Sequence, residues 1–264
     1  MALRVGINGA AGRMGQRLVA LASADNELSL VAAIEHDGHA RLGSDAGLVA
    51  GAGELGVPLG TSLPAGIDVV VDFSVPEATE AILGACLASK VPLVVATTGL
   101  GEKLESEIRR AAEQIPVLWA PSMSLAVNLA MKLSDTAARA LADHPTGADV
   151  EIIERHHRFK EDAPSGTALK FGQIIADAMG QTEVRHGRSG RPGKRPHGEI
   201  GYHAVRTGDN PGEHTIIFAL LGETLEILVR ATSRDCYAHG ALAAAKFLAG
   251  KPPGLYGMND VLGL

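Results

Sequence analysis

The chain has 264 residues and a formal net charge of −6, with 46% hydrophobic but only 3% aromatic residues. The acidic balance argues against nucleic acid or an anionic membrane as a partner, so an anionic ligand has to be held by local positive charge. Cys86 and Cys236 have neither metal-ligand nor disulfide spacing, and every long apolar run is interrupted by a charge. Because the first residues also lack a signal-peptide pattern, we expect a cytoplasmic protein without a metal.

The chain begins with a predicted strand, a glycine turn and a helix. An apolar run over 3–8 is followed by Gly9, Gly12 and Gly15, and then by apolar residues at helical spacing to about residue 24. Such glycines let the backbone approach a pyrophosphate, which the helix N-terminus then binds. The spacing differs from the commoner G-x-G-x-x-G, but its place between strand and helix predicts a dinucleotide site. The predicted contacts in this turn are Gly9, Ala10, Ala11, Gly12, Arg13, Met14 and Gly15.

A second predicted strand, over 29–34, ends at Glu35. This carboxylate follows Gly15 by about twenty residues, where an acidic side chain bonds the ribose hydroxyls of a dinucleotide. The alternative is a solvated residue at the end of a strand. His36 comes next, and Arg13 in the glycine turn is placed to reach a phosphate.

Strands and helices then alternate in a way that predicts a doubly wound parallel sheet of the Rossmann type. The segment 39–60 is rich in Gly, Ala and Asp and is predicted to be a loop with little structure. The carboxyl ends of the parallel strands are expected to line the cofactor crevice. The predicted elements are strands over 67–73, 91–96 and 117–120, and helices over 76–88, 102–114 and 124–142.

The segment Glu151–Lys170 combines two adjacent histidines, a lysine and a Pro-Ser-Gly-Thr turn. A strand is predicted over 149–155 and a helix from about residue 167, with Ser165 as its N-cap. A helix N-terminus binds a carboxylate or phosphate through unpaired N–H groups. The segment therefore predicts an anion-binding pocket with proton donors beside it, the alternative being a capped surface helix after a basic loop.

The residues Glu154–Ala168 closely resemble, as E-R-H-H-x-x-K-x-D-A-P-S-G-T-A, the signature of the 4-hydroxy-tetrahydrodipicolinate reductase family. The resemblance extends over essentially the whole chain and implies NAD(P)H-dependent reduction of a small dicarboxylate in lysine and diaminopimelate biosynthesis. It implies acid–base catalysis by His156 and proton donation by Lys160, while the residues alone leave open which of the two delivers the proton. The implied substrate contacts are His157, Ser165, Gly166 and Thr167.

The resemblance also bears on the cofactor. Several family members carry an arginine where this chain has His36, so we expect use of both NADH and NADPH, with a leaning to NADH. The run Pro121–Ser124 reads Pro-Ser-Met-Ser instead of the expected Pro-Asn-Phe-Ser or Ala-Asn-Phe-Ser, which puts any contact by an Asn side chain or Phe ring in doubt. The remaining predicted cofactor contacts are Ala96, Thr97, Thr98, Ala120, Pro121, Ser122 and Met123.

After the central segment, alternating patterns predict strands over 200–206, 214–221 and 223–232, and hence a smaller α+β domain with an open mixed sheet. The run 185–196 is basic and rich in Gly and Pro, and it is predicted to be a mobile loop. Nucleic-acid binding by this run is the weaker alternative. The open sheet offers a face for self-association, and the resemblance implies a homotetramer.

Two domains are therefore expected. Residues 1–126 and 237–264 would form the dinucleotide-binding domain, and 127–236 the substrate-binding and oligomerisation domain. The alternatives to the family's activity are another two-domain NAD(P)-dependent amino-acid or sugar dehydrogenase and a non-catalytic nicotinamide-sensing protein. The paired histidines and the Asp-Ala-Pro-Ser-Gly-Thr-Ala turn over 162–168 argue against another dehydrogenase, which would lack them. A sensing protein would keep Gly9, Gly12 and Gly15 but would need no proton donors, and it would bind the cofactor without turnover.

Overall fold

The computed structural model describes residues 1–264. The chain divides into a first unit of Met1–Leu125 with Asp235–Leu264 and a second unit of Ala126–Arg234. The strands are β1 Leu3–Asn8, β2 Leu28–Ile34, β3 Leu59–Gly60, β4 Val69–Asp72, β5 Leu93–Val95, β6 Pro116–Trp119, β7 Asp149–His156, β8 Glu183–His186, β9 Glu199–Arg206, β10 Glu213–Leu220, β11 Glu223–Arg230 and β12 Gly254–Tyr256. The helices are α1 Arg13–Ser23, α2 Ala46–Ala50, α3 Pro76–Ser89, α4 Glu102–Ala111, α5 Leu125–Leu141, α6 Gly166–Met179, α7 Asp235–Leu248 and α8 Met258–Leu262.

The first unit is built on a seven-stranded sheet in the order β12-β6-β5-β4-β1-β2-β3, and every pair in it is parallel. Successive side chains of a strand point to opposite faces, so a strand that is covered on both sides is apolar throughout. In β4, Val69 and Val71 belong to one hydrophobic core and Val70 to the other. The prediction of a doubly wound parallel sheet is confirmed.

The end of the chain completes this sheet, because β12 pairs with β6. Helix α7 packs into the same core as α1, and it approaches the loop after β6 closely. A Cβ atom at Gly240 would lie 1.7 Å from the carbonyl oxygen of Met123, so this contact requires glycine. None of the helices is both long and apolar enough to cross a membrane.

The prediction of an unstructured segment over 39–60 is wrong. This segment contains α2 and β3, and Asp45 organises it. The Asp45 carboxylate caps α2 by accepting from the N–H of Leu48 at 3.0 Å, and it also accepts from the N–H groups of Leu55 and Val57. Elements of five and two residues are too short to show periodicity, which is why the composition alone predicted a loop.

The second unit has a mixed five-stranded sheet in the order β11-β10-β7-β9-β8. Strand β10 is antiparallel to both neighbours, whereas β7 and β8 run parallel to β9. Phe171 and Ile175 of α6 pack with Ile152 and Phe218 in a single core. The strand order and the mixture of parallel and antiparallel pairs confirm the prediction of an open mixed sheet.

The basic segment after β8 is held by ion pairs. The predicted loop began too early, since β8 extends through His186. Arg188 bonds both oxygens of Glu151, at 3.0 and 2.6 Å, and Arg195 bonds the same carboxylate at 3.1 Å. Burial opposes ionisation of Glu151, but these arginines and His203 lower its pKa to about 2. Two arginines of the predicted mobile loop are thus bound to the sheet.

Candidate active site

The glycine turn of the first unit is shaped for close backbone approach. Gly9 has a φ of +77°, and a Cβ atom there would lie 2.8 Å from the carbonyl oxygen of Phe73. A Cβ atom at Gly15 would lie 2.0 Å from the carbonyl oxygen of Gly9. Gly12 begins α1 without any side-chain cap, so the first N–H groups of this helix have no side-chain acceptor. The turn therefore offers backbone donors and no side chain in the way.

Glu35 lies directly against this turn. Its Oε1 atom accepts a hydrogen bond from the N–H of Ala11 at 2.8 Å. His36 and Arg13 are both exposed, and the ring of His36 stacks edge to face on His39 at a centroid distance of 5.4 Å. The carboxylate at the end of β2 is therefore fixed beside the turn, while the two flanking basic residues are in solvent.

A buried carboxylate joins the loops at the carboxyl edge of the sheet. Asp72 is fully buried and accepts hydrogen bonds from Asn8 Nδ2 at 2.8 Å, Ser74 Oγ at 2.5 Å, Thr79 Oγ1 at 2.6 Å and Thr97 Oγ1 at 2.8 Å. Asn8 ends β1, Ser74 and Thr97 follow β4 and β5, and Thr79 lies in the first turn of α3. The Asp72 side chain therefore sets the relative positions of these four segments.

The remaining predicted cofactor contacts, which follow β5 and β6, lie at this edge. Ala96 and Thr97 are buried and Thr98 is exposed, directly after β5. Ala120, Pro121, Ser122 and Met123 follow β6. The side chain of Met123 is packed in the hydrophobic core, at 1% exposure, so only its backbone faces the loop. The Thr97 hydroxyl is likewise engaged, by Asp72 and by the N–H of Ser74.

In the second unit, Ser165 caps α6 as predicted. Its Oγ accepts from the N–H of Ala168 at 3.1 Å and lies 2.9 Å from Nε2 of His214. Ser165 is buried, so its hydroxyl is committed to these internal bonds. Gly166 is exposed and Thr167 half-buried, and their N–H groups belong to the first turn, which has no intrahelical acceptors. The backbone donors that this helix N-terminus leaves available therefore lie at Gly166 and Thr167.

Behind this turn is a group of five side chains, here called the Glu154 cluster: Glu154, His156, Ser165, Arg206 and His214. Glu154 is 1% exposed and receives Nη1 and Nη2 of Arg206, each at 2.7 Å. Its Oε2 lies 2.6 Å from Nδ1 of His156, and its Oε1 accepts from the N–H of Ser165 at 3.0 Å. One carboxylate thus contacts the end of β9, the catalytic candidate and the helix cap.

The two histidines of the cluster are affected by burial. Their rings meet edge to face at a centroid distance of 5.3 Å. Burial lowers the pKa of His156, while the Glu154 hydrogen bond and charge partly oppose this effect. Burial also lowers the pKa of His214, to about 4, and the neighbouring His156 adds to the effect. At neutral pH both rings are therefore predominantly neutral.

Lys160 is fixed by the loop that carries it. Its Nζ donates to both carboxylate oxygens of Asp162, at 2.8 and 2.9 Å, and this hydrogen bond lowers the pKa of Asp162. Arg206 also donates to the carbonyl oxygen of Asp162 at 2.7 Å. The lysine loop is therefore tied to the same arginine that holds Glu154. The ring of His157 lies tilted against that of Phe159, with centroids 6.2 Å apart, and its Nδ1 has no hydrogen-bond partner in the protein.

Sequence reasoning brought His156, Lys160 and the Ser165 turn together but did not assign roles to Glu154, Arg206 or His214. Glu154 precedes His156 by two residues on a strand, so alternation places both on one face, and this signal was present. Arg206 and His214 come from other strands, and nothing local identifies them.

No group of three or more His, Cys, Asp or Glu side chains is arranged to hold a metal ion.

Comparison with known proteins gives a consistent result over both units. Residues 3–123 match the family model described as the N-terminus of dihydrodipicolinate reductase, and residues 126–262 match the model of its C-terminus. The 4-hydroxy-tetrahydrodipicolinate reductase of Rhodopirellula baltica is 54% identical, with 98% of this chain and 95% of that protein aligned. The enzyme of the same name from Alkalilimnicola ehrlichii is 47% identical, with both chains fully covered.

Among solved structures, the chain is similar to a dihydrodipicolinate reductase from Paenisporosarcina sp. TG-14 with dipicolinate bound. The TM-score is 0.79 at 26% sequence identity, and the alignment covers 98% of this chain and 99% of that one. The similarity therefore extends over both sheets and is not limited to the nucleotide-binding fold.

Proposed function

This chain belongs to the dihydrodipicolinate reductase family, as Glu154–Ala168 predicted, and from this membership we propose how its two units divide the reaction. The activity is NAD(P)H-dependent reduction of 4-hydroxy-tetrahydrodipicolinate in lysine and diaminopimelate biosynthesis. The first unit binds the nucleotide, and the second binds the dicarboxylate and supplies the proton. The Glu154 cluster supports this division best, because it joins a carboxylate-binding helix N-terminus to acid–base side chains.

The glycine turn fits a pyrophosphate, because side chains at Gly9 and Gly15 would collide with backbone and α1 has no side-chain cap. Glu35 is assigned to the ribose hydroxyls and His36 to the edge of the same site. When bound, the cofactor supplies a hydride to the substrate ring. The full set of assigned contacts is Gly9, Ala10, Ala11, Gly12, Arg13, Met14, Gly15, Glu35, His36, Ala96, Thr97, Thr98, Ala120, Pro121, Ser122 and Met123.

Both NADH and NADPH are proposed as cofactors. A carboxylate at Glu35 favours the ribose hydroxyl of NADH, and His36 does not supply the fixed positive charge that a 2′-phosphate prefers. Arg13 is exposed in the glycine turn and gives the phosphate an alternative partner.

The substrate's first carboxylate is assigned to Gly166 and Thr167, whose N–H groups and hydroxyl lie at the positive end of the α6 dipole. Ser165 acts by holding this turn, since its hydroxyl is committed to Ala168 and His214. His157, with an unpaired Nδ1, is assigned to the second carboxylate. The family member solved with dipicolinate bound supports a small dicarboxylate as the ligand.

The proton is assigned to Lys160 and the acid–base exchange to His156. Reduction of the dehydrated ring adds a hydride and a proton, and the proton goes to carbon. An ammonium group is a donor in any of its three directions and is held here by Asp162. His156 is mainly neutral at pH 7, because burial lowers its pKa, so its free nitrogen accepts protons more readily than it donates them.

A coupled assay tests the activity. The upstream aldolase-type synthase generates the substrate in place, and oxidation of NADH or NADPH is followed by absorbance. We expect oxidation only when the synthase, its substrates and this chain are all present. Cofactor binding without turnover would support a nicotinamide-sensing protein, and NAD(P)-dependent oxidation of an amino acid or sugar would support the alternative dehydrogenase.

Self-association is assigned to the open face of the second sheet. Leu228, Thr215 and Ile153 are paired side by side across β11, β10 and β7, on the face opposite the core, and Leu228 is exposed. A row of two apolar side chains around a threonine suits an isologous interface, and we propose a homotetramer. A monomer mass in light scattering would contradict it.

Both cysteines are unpaired, which suits the cytoplasm.

A further inference from the structure

Glu154 has no assigned role in the reaction, yet its carboxylate bonds two parts of the active-site segment, His156 and Ser165. It lies on β7 two residues before His156, so both side chains point to the same face of the sheet. Both carboxylate oxygens are used twice, because each accepts one Arg206 nitrogen and one further donor. The further donors are Nδ1 of His156 and the N–H of Ser165.

The charge on Glu154 determines which nitrogen of His156 carries hydrogen. Burial opposes ionisation of the carboxyl, but hydrogen bonds from Arg206 and His156 outweigh it and lower its pKa. An ionised carboxylate only accepts hydrogen bonds, so the hydrogen shared with the ring has to reside on Nδ1 of His156. In the neutral ring, Nε2 is then left as the nitrogen that gains and loses a proton.

Gly212, just before β10, has no side chain to cover this second nitrogen. A Cβ atom at this position would lie 2.9 Å from Nε2 of His156. The same carboxylate also fixes the other half of the segment, because the N–H of Ser165 places the cap from which Gly166 and Thr167 follow.

We propose that Glu154 is a positioning residue, whose single carboxylate fixes both the proton-exchanging nitrogen of His156 and the dicarboxylate-binding turn at Ser165. This role rests on the proposed function, since it requires that His156 and the turn act on the substrate. Glu154 itself is buried behind them and acts through them. Arg206 keeps the carboxylate ionised and joins it to the Lys160 loop through the carbonyl oxygen of Asp162.

Four charged or titratable groups from the neighbouring strands and loop act on His156. Glu154 on the same strand raises the pKa of His156, whereas Lys160 in the following loop and Arg206 at the end of β9 lower it. His214 on β10 contacts the ring edge to face. Of these groups, only Glu154 bonds the ring directly, so its replacement changes both the tautomer and the titration of His156.

Glu154→Gln is the informative variant, because it preserves shape and removes the charge. We expect the His156 titration, followed by NMR of its ring, to move to lower pH, and the ring to lose its uniform Nδ1–H tautomer, since the new amide can donate to Nδ1. The turnover number should fall by about 10- to 100-fold, the range that a misplaced catalytic group produces. The inhibition constant for dipicolinate should also rise.

The matched control is Glu151→Gln on the same strand. Like Glu154, Glu151 is paired with arginine and histidine side chains, here Arg188, Arg195 and His203, but none of its hydrogen bonds involves His156. Both variants lose ion pairs on β7, and we expect only Glu154→Gln to change the His156 titration. Equal effects of the two variants on turnover and titration would reduce Glu154 to a structural residue and overturn the inference.

Ring ¹⁵N shifts of the unaltered protein supply a test that does not depend on the folding of any variant. An Nδ1–H tautomer of His156 is expected, and an Nε2–H tautomer would overturn the inference. His156→Asn distinguishes failure of the proposed function of His156 from failure of the positioning role of Glu154. Full turnover in that variant would reject the role of His156 in the proposed function, whereas its inactivity together with an unaffected Glu154→Gln variant would reject only the positioning role.

Discussion

The carboxylate of Glu35 accepts a 2.8 Å hydrogen bond from the backbone N–H of Ala11, so the end of β2 closes directly onto the glycine turn. This contact holds a negative charge beside the turn before any cofactor arrives. A ribose hydroxyl can donate to such a carboxylate, whereas a 2′-phosphate is repelled by it. We therefore expect acceptance of NADH without a strong demand for NADPH.

Cofactor preference should accordingly be relaxed. We expect that any preference for NADPH over NADH, expressed as a ratio of specificity constants, stays below about 100-fold, which corresponds to roughly 2.7 kcal/mol of transition-state binding. His36→Arg should shift the ratio toward NADPH, because it adds a fixed charge beside Glu35. His39→Arg is the matched control, since it places the same charge at position 39, whose ring contacts His36 edge to face. A stronger NADPH preference in the unaltered protein would contradict this account.

Gly212→Ala should impair catalysis through contact with His156. Its Cβ atom would lie 2.9 Å from Nε2 and 3.3 Å from Cδ2 of that ring, so the ring has to move. A shift of this kind should lower turnover by about 10- to 100-fold. Gly208→Ala serves as control, because Gly208 also has a positive φ in the connection between β9 and β10 but has open space around it. Equal losses in the two variants would indicate backbone strain alone.

Lys160 and Thr167 should affect different kinetic constants. Thr167 is proposed to bind a carboxylate in ground and transition states alike, so Thr167→Ala should mainly raise KM, by about ten- to a hundredfold for one hydrogen bond to a charged group. Lys160→Ala should mainly lower kcat, by about 10²–10⁴-fold, as expected for a general acid.

Lys170→Ala, on the exposed side of α6, is the control for loss of a lysine and should be close to unaltered protein. If Lys160→Ala retains full turnover and only weakens substrate binding, Lys160 is a carboxylate contact and the proton has another source.

Acid should destabilise the second unit through Glu151. Its pKa in the folded state is about 2, below its ordinary value of 4.5, so its contribution is fully present above pH 4.5 and is lost as the pH falls toward 2. Glu151→Gln should lower the free energy of unfolding by roughly 1.5–3 kcal/mol at neutral pH. Thermal unfolding from pH 3 to 7 measures this. A stability difference that does not shrink in acid would exclude Glu151 as its origin.

The parts of the fold that follow local rules could be predicted from the sequence. Hydrophobic periodicity and glycine spacing identified the strand, turn and helix around Gly9–Gly15, and N-cap chemistry identified Ser165. The short elements α2 and β3 could not be predicted, because their formation depends on Asp45 gathering the N–H groups of residues up to twelve positions away.

The candidate site was predictable to the same extent. His156, Lys160 and Ser165 are close in sequence, and Glu154 shares a strand face with His156. Arg206 reaches Glu154 across a separation of 52 residues, and His214 reaches Ser165 across 49. Both contacts depend on the pairing register of β7 with β9 and β10, which is a property of the whole sheet.

Inhibition by dipicolinate tests most directly the claim that the second unit binds the substrate at the α6 N-terminus. Initial rates are measured against varied substrate and, separately, against varied NADH, for the unaltered protein and for Thr167→Ala. We predict inhibition that is competitive with substrate but not with NADH, and an inhibition constant raised about ten- to a hundredfold by Thr167→Ala. Inhibition competitive with NADH, or an inhibition constant unchanged in Thr167→Ala, would contradict the assignment.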